Sequence, residues 1–90
     1  MPVLKIPIPF RSYVNGQTEV TVTGATASEA MQSLVTQFPA LQPHLYNSAG
    51  RLRPFVNLFL GKDNLKDLQG LDTPLGEDDK LVIIPSIAGG

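Results

Sequence analysis

The chain has ninety residues, with seven Lys or Arg against eight Asp or Glu, one His, no Cys and no Trp. That length supports one domain with a limited core, and 42% hydrophobic with 17% charged residues argue against disorder. A net charge of −1 without a Lys/Arg cluster excludes a phosphate-neutralising nucleic-acid surface, no apolar run of roughly 18 residues is present to span a membrane, and the lack of Cys excludes disulfides, thiolate metal sites and cysteine nucleophiles.

Val3–Pro9 alternates, with Leu4, Ile6 and Ile8 on one face and Lys5, Pro7 and Pro9 on the other, which predicts a half-buried strand. Its two prolines cannot donate to a ladder, so it pairs over part of its length. Asn15-Gly16 is a turn signal, and Thr18–Thr23 alternates again through Val20 and Val22, so the two segments are predicted to form an antiparallel hairpin. Gly24 closes it. Thr26 followed by Glu29 is a capping box, and Met31, Leu34, Val35 and Phe38 make one helical stripe that Pro39 ends. The Pro39–Pro54 connection is predicted to carry Leu41, Leu45 and Tyr46 onto the core. Phe55–Leu60 is a third strand, Gly61–Asn64 a turn, Leu65–Leu68 a short fourth strand, and Gln69–Leu75 irregular with one tight helical turn. Gly76-Glu77-Asp78-Asp79 is a polar turn, Lys80–Pro85 the last strand and Ser86–Gly90 a tail.

One helix and one sheet predict a two-layer α+β domain over residues 1–85, with a flexible tail at 86–90. Leu81-Val82-Ile83-Ile84 is apolar on both faces, as central strands are. If it pairs in parallel with the first strand while the helix covers one sheet face, the arrangement is a β-grasp, a mixed sheet of four to five strands.

The side chains offer little chemistry. The single imidazole, His44 between Pro43 and Leu45, is expected to be a surface or packing residue. Glu77, Asp78 and Asp79 are adjacent, without the spacing of a calcium loop, and no metal ligand set or glycine-rich phosphate loop is present. On the sheet, Val56, Leu58 and Leu60 are expected to share the core face with Leu4, Ile6, Val20, Val22, Leu81 and Ile83. Phe55, Phe59, Val82 and Ile84 then point to the face the helix leaves open, either as an exposed docking patch or as a floor for the Pro39–Pro54 connection. The chain ends Pro85-Ser86-Ile87-Ala88-Gly89-Gly90. Pro85 lacks an N–H, so the ladder is expected to stop there, and five extended residues reach about 17 Å beyond it. Ala and two Gly make a thread slim enough for a narrow channel.

Three segments carry a family resemblance. The run Arg53-Pro54-Phe55-Val56-Asn57-Leu58-Phe59-Leu60, the segment Leu71-Asp72-Thr73-Pro74-Leu75, and the stretch from Asp79 to Gly90 resemble the MoaD/ThiS family of ubiquitin-like sulfur carriers, in particular its cysteine-biosynthesis branch. The resemblance implies a carrier without catalytic residues or a bound cofactor of its own. Gly90 would be adenylated by an ATP-using, ubiquitin-activating-type adenylyltransferase, converted to a thiocarboxylate, and presented to a sulfur-accepting synthase. Gly89, Ala88 and Ile87 would thread into the partner, and Phe55, Phe59, Val82 and Ile84 would dock on it. A molybdopterin synthase small subunit, a thiamin sulfur carrier and a modifier that forms isopeptide bonds share these features. The expected compartment is the cytoplasm, because Pro2, Lys5, Pro7 and Pro9 interrupt what a signal peptide would need.

Overall fold

The computed structural model describes residues 1–85. A five-stranded mixed sheet has the order β2-β1-β5-β3-β4, built from β1 (Val3–Lys5), β2 (Glu19–Thr21), β3 (Val56–Leu60), β4 (Asp63–Asn64) and β5 (Lys80–Pro85). β5 is the central strand, as its two apolar faces predict. It runs parallel to β1, with Leu4 beside Leu81 and Lys5 beside Val82. It runs antiparallel to β3, with Leu58 beside Ile83 and Phe59 beside Val82. The main helix, α1 (Ala27–Gln37), packs on one face, and the architecture is the β-grasp.

The start of α1 follows from its first residues. Thr26 Oγ1 accepts from the Glu29 amide at 3.3 Å, and Glu29 Oε1 accepts from the Ala25 amide at 2.8 Å. Together these satisfy amides the helix leaves unpaired. Gly24 immediately precedes them at φ +144°, and a Cβ there would lie 2.7 Å from the Glu29 Cβ and 2.8 Å from the Ala30 nitrogen. Only glycine lets β2 hand over to α1 this closely. Ala27, Ala30, Met31, Leu34 and Val35 are buried, while Phe38 packs half-buried at the core edge. They meet Leu4, Ile6, Val20, Val22, Val56, Leu58, Leu81 and Ile83 from the sheet in one cluster.

Three expectations are corrected. The first strand ends at Lys5, not Pro9. Ile6 still donates to Thr18 O at 2.8 Å, but Pro7 and Pro9 cannot extend the ladder, and Pro7 instead precedes a tight 3₁₀ segment, Ile8–Val14. That segment turns Phe10 and Val14 into the core and closes on Asn15 (φ 59°) and Gly16 (φ 77°), so β1 and β2 are antiparallel neighbours joined by a folded excursion and not by a tight hairpin. The fourth strand is Asp63–Asn64. Leu65–Asp67 is a 3₁₀ turn, because the Asn64 side chain accepts from the Lys66 amide at 3.0 Å and bends the chain away while burying Leu65. Finally, the 39–54 connection is partly helical, with α2 (Gln42–Leu45) following a 3₁₀ turn at Pro39–Leu41. Leu41 and Leu45 are fully buried, as expected, and belong to the same cluster as α1 and the inner sheet face.

Candidate functional site

Residues alternate across a strand, so the outer face of the sheet is set by the same register that builds the core. Phe59 on β3, Val82 on β5 and Lys5 on β1 stand side by side, and Asn57 stands beside Ile84. Phe55 precedes β3. Phe55 and Ile84 are exposed at 38% and 44%, and Phe59 and Val82 are half-buried. The structure thus brings Phe59, Val82 and Ile84 onto one open face, with Phe55 exposed in the turn that precedes β3. The 39–54 connection does not cover them, because its buried residues, Leu41 and Leu45, are part of the core on the opposite side.

This face has two unlike halves. On the β2–β1 side, Lys80 Nζ donates to Glu19 Oε2 at 2.7 Å, reaching from β5 to β2 over the intervening β1. Lys80, and more weakly Lys5, hold the Glu19 carboxyl below its ordinary range. Both members of the pair are solvated. On the β5–β3 side the surface is apolar.

Near Pro85, between β5 and the chain that follows β1, lies a cleft of about 300 Å³ walled by Lys5, Pro7, Ile8, Arg11, Ile84 and Pro85. Ile8 is 75% exposed. Pro7, Ile8 and Arg11 were not anticipated at the site. The alternation through Pro9 placed Ile8 on the core face, and only the break at Pro7 could have signalled that the chain turns back beside the end of β5.

The anticipated tail residues Ile87, Ala88, Gly89 and Gly90 lie outside the described residues. β5 is paired through Pro85, opposite Val56, and Pro85 also walls the cleft.

Elsewhere the side chains pack. The His44 ring stacks on Tyr13, with centroids 4.3 Å apart and planes inclined by 29°, and approaches Phe10 at 6.2 Å. Among the described residues, no three His, Cys, Asp or Glu side chains come together as a metal site, and no helix is long and apolar enough to cross a membrane. In the acidic turn, Asp79 Oδ2 accepts from the Gly76 amide at 2.7 Å. Tyr46 sits between α1 and the loop after α2, and burial raises its phenol above the ordinary value.

The described residues thus form an open-faced β-grasp with a cleft beside the end of β5. Residues 5–90 match the ThiS family, and the chain belongs to that family. It is 28% identical over 89 residues to the "Sulfur carrier protein CysO" of Mycobacterium tuberculosis, covering 97% of this chain and 96% of that protein. A "Putative sulfur carrier protein" of Archaeoglobus fulgidus is 37% identical over 41 residues, which is 46% of this chain and 47% of that one. Among solved structures, Mycobacterium tuberculosis CysO superposes with a TM-score of 0.86 at 25% identity, covering 97% of this chain and 100% of that one. The Amycolatopsis orientalis BexX/CysO complex superposes with a TM-score of 0.88 at 24% identity over the full length of both chains. Small archaeal modifier protein 1 of Methanosarcina acetivorans has a TM-score of 0.87 at 24% identity, covering 99% and 95%.

Proposed function

We propose that this chain is a sulfur carrier that works through the carboxylate of Gly90. The observation that carries the reading is a Gly-Gly ending placed five residues beyond the last strand, in a chain similar over nearly its whole length to a curated sulfur carrier. A carboxylate is a poor electrophile. An ATP-dependent adenylyltransferase solves this by letting a Gly90 oxygen attack the α-phosphorus, releasing pyrophosphate and leaving an acyl-adenylate. Hydrosulfide, supplied by the sulfur donor, then attacks the carbonyl carbon and gives up its proton, AMP departs with the bridging oxygen, and the C–O bond is replaced by C–S. The resulting thiocarboxylate carries sulfur to an acceptor synthase, and hydrolysis of the acyl–sulfur bond regenerates the carboxylate.

In this reading Gly90 is the reacting residue, and Gly89, Ala88 and Ile87 thread the partner's channel, where the missing Cβ of glycine admits close approach to the carbonyl. Phe55, Phe59, Val82 and Ile84 dock on the partner as an open apolar patch. The chain supplies no catalytic group and holds no cofactor, and ATP belongs to the partner in the cytoplasm. The similarity to CysO favours a cysteine-forming acceptor over a molybdopterin or thiamin one.

The test is intact mass spectrometry after incubation with the adenylyltransferase, ATP and a sulfur donor. One oxygen-for-sulfur exchange on the C-terminal fragment, absent after deletion of Gly89 and Gly90, is the expected result. An unchanged mass with an enzyme proven active on another carrier overturns the reading, and covalent adducts on immunoblots would assign the chain to protein modification instead.

A further inference from the structure

The helical side of the molecule carries a second cleft. About 620 Å³ in volume, it opens between α1, α2 and the loop that follows α2. Ser28 and Gln32, one turn apart, line it from α1. Gln42 and Tyr46 line it from α2, where the Tyr46 amide donates to Gln42 O at 2.9 Å and so keeps the two side chains one turn apart as well. Arg51 approaches from the loop, and half-buried Leu52 and Leu71 supply the apolar part of the lining.

Within the described residues, the side chains of Ser28, Gln32, Gln42, Tyr46 and Arg51 make no hydrogen bond or ion pair, and none of them is a buried unsatisfied group, so their polar atoms stay available to a ligand. The loop that carries Arg51 is braced. Asn47 Oδ1 accepts from the amides of Ala49 and Arg51 at 2.9 and 3.1 Å, the Asn47 amide donates to Arg51 O at 2.8 Å, and the Gly50 amide donates to Asn47 O at 3.0 Å, with Gly50 at φ +78°. The backbone under Arg51 is therefore ordered before anything binds, which lowers the cost of binding. Charge is one-sided as well. Arg51 is the one charged residue of the lining, and residues 30–62 contain no Asp or Glu. Glu29 on α1 has Oε1 engaged by the Ala25 amide at 2.8 Å, and Asp72, next to Leu71, is exposed.

We propose that this cleft binds a small organic carboxylate with a short apolar body. The inference goes beyond the sulfur-carrier reading and does not depend on it, because the residues it uses belong neither to the outer sheet face nor to the tail. A planar carboxylate matches the guanidinium fork in shape and in its single charge, whereas a phosphate dianion would leave charge uncompensated beside one cation. The amides of Gln32 and Gln42 and the hydroxyls of Ser28 and Tyr46 are donors for the remaining lone pairs. Burial raises the Tyr46 phenol, so it stays protonated and able to donate well above neutral pH. Leu52 and Leu71 receive the apolar body. Concavity favours a small molecule over a protein surface: a hollow of several hundred Å³ with a few polar groups around apolar side chains is the form of small-ligand sites, while protein partners meet apolar patches with a polar rim.

The test is an NMR titration of the isotope-labelled full chain with hexanoate, compared with 1-hexanol and with inorganic phosphate. Hexanoate is expected to give saturable shifts at the amides of Ser28, Gln32, Tyr46 and Arg51 with Kd on the order of 1 mM, and the other two probes to bind at least about tenfold more weakly. Arg51→Gln is expected to raise the hexanoate Kd at least about tenfold and Tyr46→Phe about threefold, the difference between a charge-assisted and a neutral hydrogen bond. The Arg51 side chain has no partner in the fold, so the variant is expected to keep the wild-type spectrum elsewhere. Lys62→Gln, an equal charge change in the turn between β3 and β4, is expected to stay within about twofold of wild type. Absence of saturable shifts, shifts confined to the outer sheet face, or an unchanged Kd in a folded Arg51→Gln overturns the site. Phosphate binding as tightly as hexanoate overturns the carboxylate assignment, and hexanol doing so overturns the role of Arg51.

Discussion

Two pairs of residues on one strand have opposite fates. Leu81 and Ile83 on β5 are buried at 0% and 2%, while their neighbours Val82 and Ile84 are half-buried and 44% exposed. The side chains are chemically interchangeable, and the strand is central, hydrogen-bonded on both sides. What differs is the cover. α1, the 39–41 turn and α2 supply buried residues to the inner face, whereas on the outer one Ile84 stays exposed and Val82 half-buried beside the Pro7–Arg11 wall of the cleft. Apolar character on the inner face builds the fold, whereas on the outer face it stays partly open to solvent.

The largest effect should therefore come from the inner face. Ile83→Ala removes a branched side chain from a closed core and is expected to lose about 3 kcal/mol, lowering the melting temperature by on the order of 15 °C. Ile84→Ala, one residue along, is expected to lose less than about 1 kcal/mol. Equal losses by thermal denaturation would break the contrast. Val82→Asp sharpens it. Lys5 stands beside position 82 to receive the charge, so the variant is expected to keep its far-UV spectrum and melt within a few degrees of wild type while binding the activating enzyme about tenfold more weakly.

The inner layer hangs from a single handover, and its strength can be tested next. Gly24→Ala would set a Cβ within 2.9 Å of three atoms of Glu29 and Ala30, at a φ that side chains rarely adopt. A loss of about 2 kcal/mol in urea denaturation is expected, against about 1 kcal/mol for Gly16→Ala, where φ +77° strains the side chain but no atom lies within 4 Å of the added carbon.

Much of this contrast could be read from the chain. The alternation in β3 and β5 separates Val56, Leu58, Leu81 and Ile83 from Phe59, Val82 and Ile84, and the register keeps them apart as expected. Thr26 and Glu29 mark the start of α1 because capping is a local interaction that needs no tertiary partner. The misreadings occur where a local alternative competes with the pattern. Ile8 continues the alternation of β1, yet the missing amides of Pro7 and Pro9 end the ladder and redirect Ile8 outward. Leu65 and Leu68 resemble a strand, yet the Asn64 side chain starts a turn ahead of them. The cleft depends on segments about seventy residues apart meeting at the end of β5, and no periodicity carries that information.

Titration separates the two layers as well. Burial between α1 and the following loop raises the Tyr46 phenol. A group whose folded pKa exceeds its unfolded value stabilises the fold fully below the unfolded pKa, about 10 for Tyr, and loses that contribution as pH rises through the folded one. Absorbance titration is expected to show a phenol that ionises above free tyrosine and disappears in Tyr46→Phe. Its absence would mean that water reaches the inner layer at this point.

The smallest effect belongs to the outer face. Lys80 holds the Glu19 carboxyl below its ordinary range through a 2.7 Å hydrogen bond, but both side chains are solvated. A depressed pKa gives stability that is present above the unfolded value, about 4.3, and fades as pH falls through the folded one. Glu19→Gln should therefore differ slightly from wild type at pH 7, and the difference should shrink below about pH 4 and also in high salt, because exposed pairs are screened. Thermal melts at both pH values measure it. A Glu19→Gln loss at pH 7 as large as that of Ile83→Ala would mean that the outer face holds the sheet together, and the division between a face that folds and a face that docks would fail.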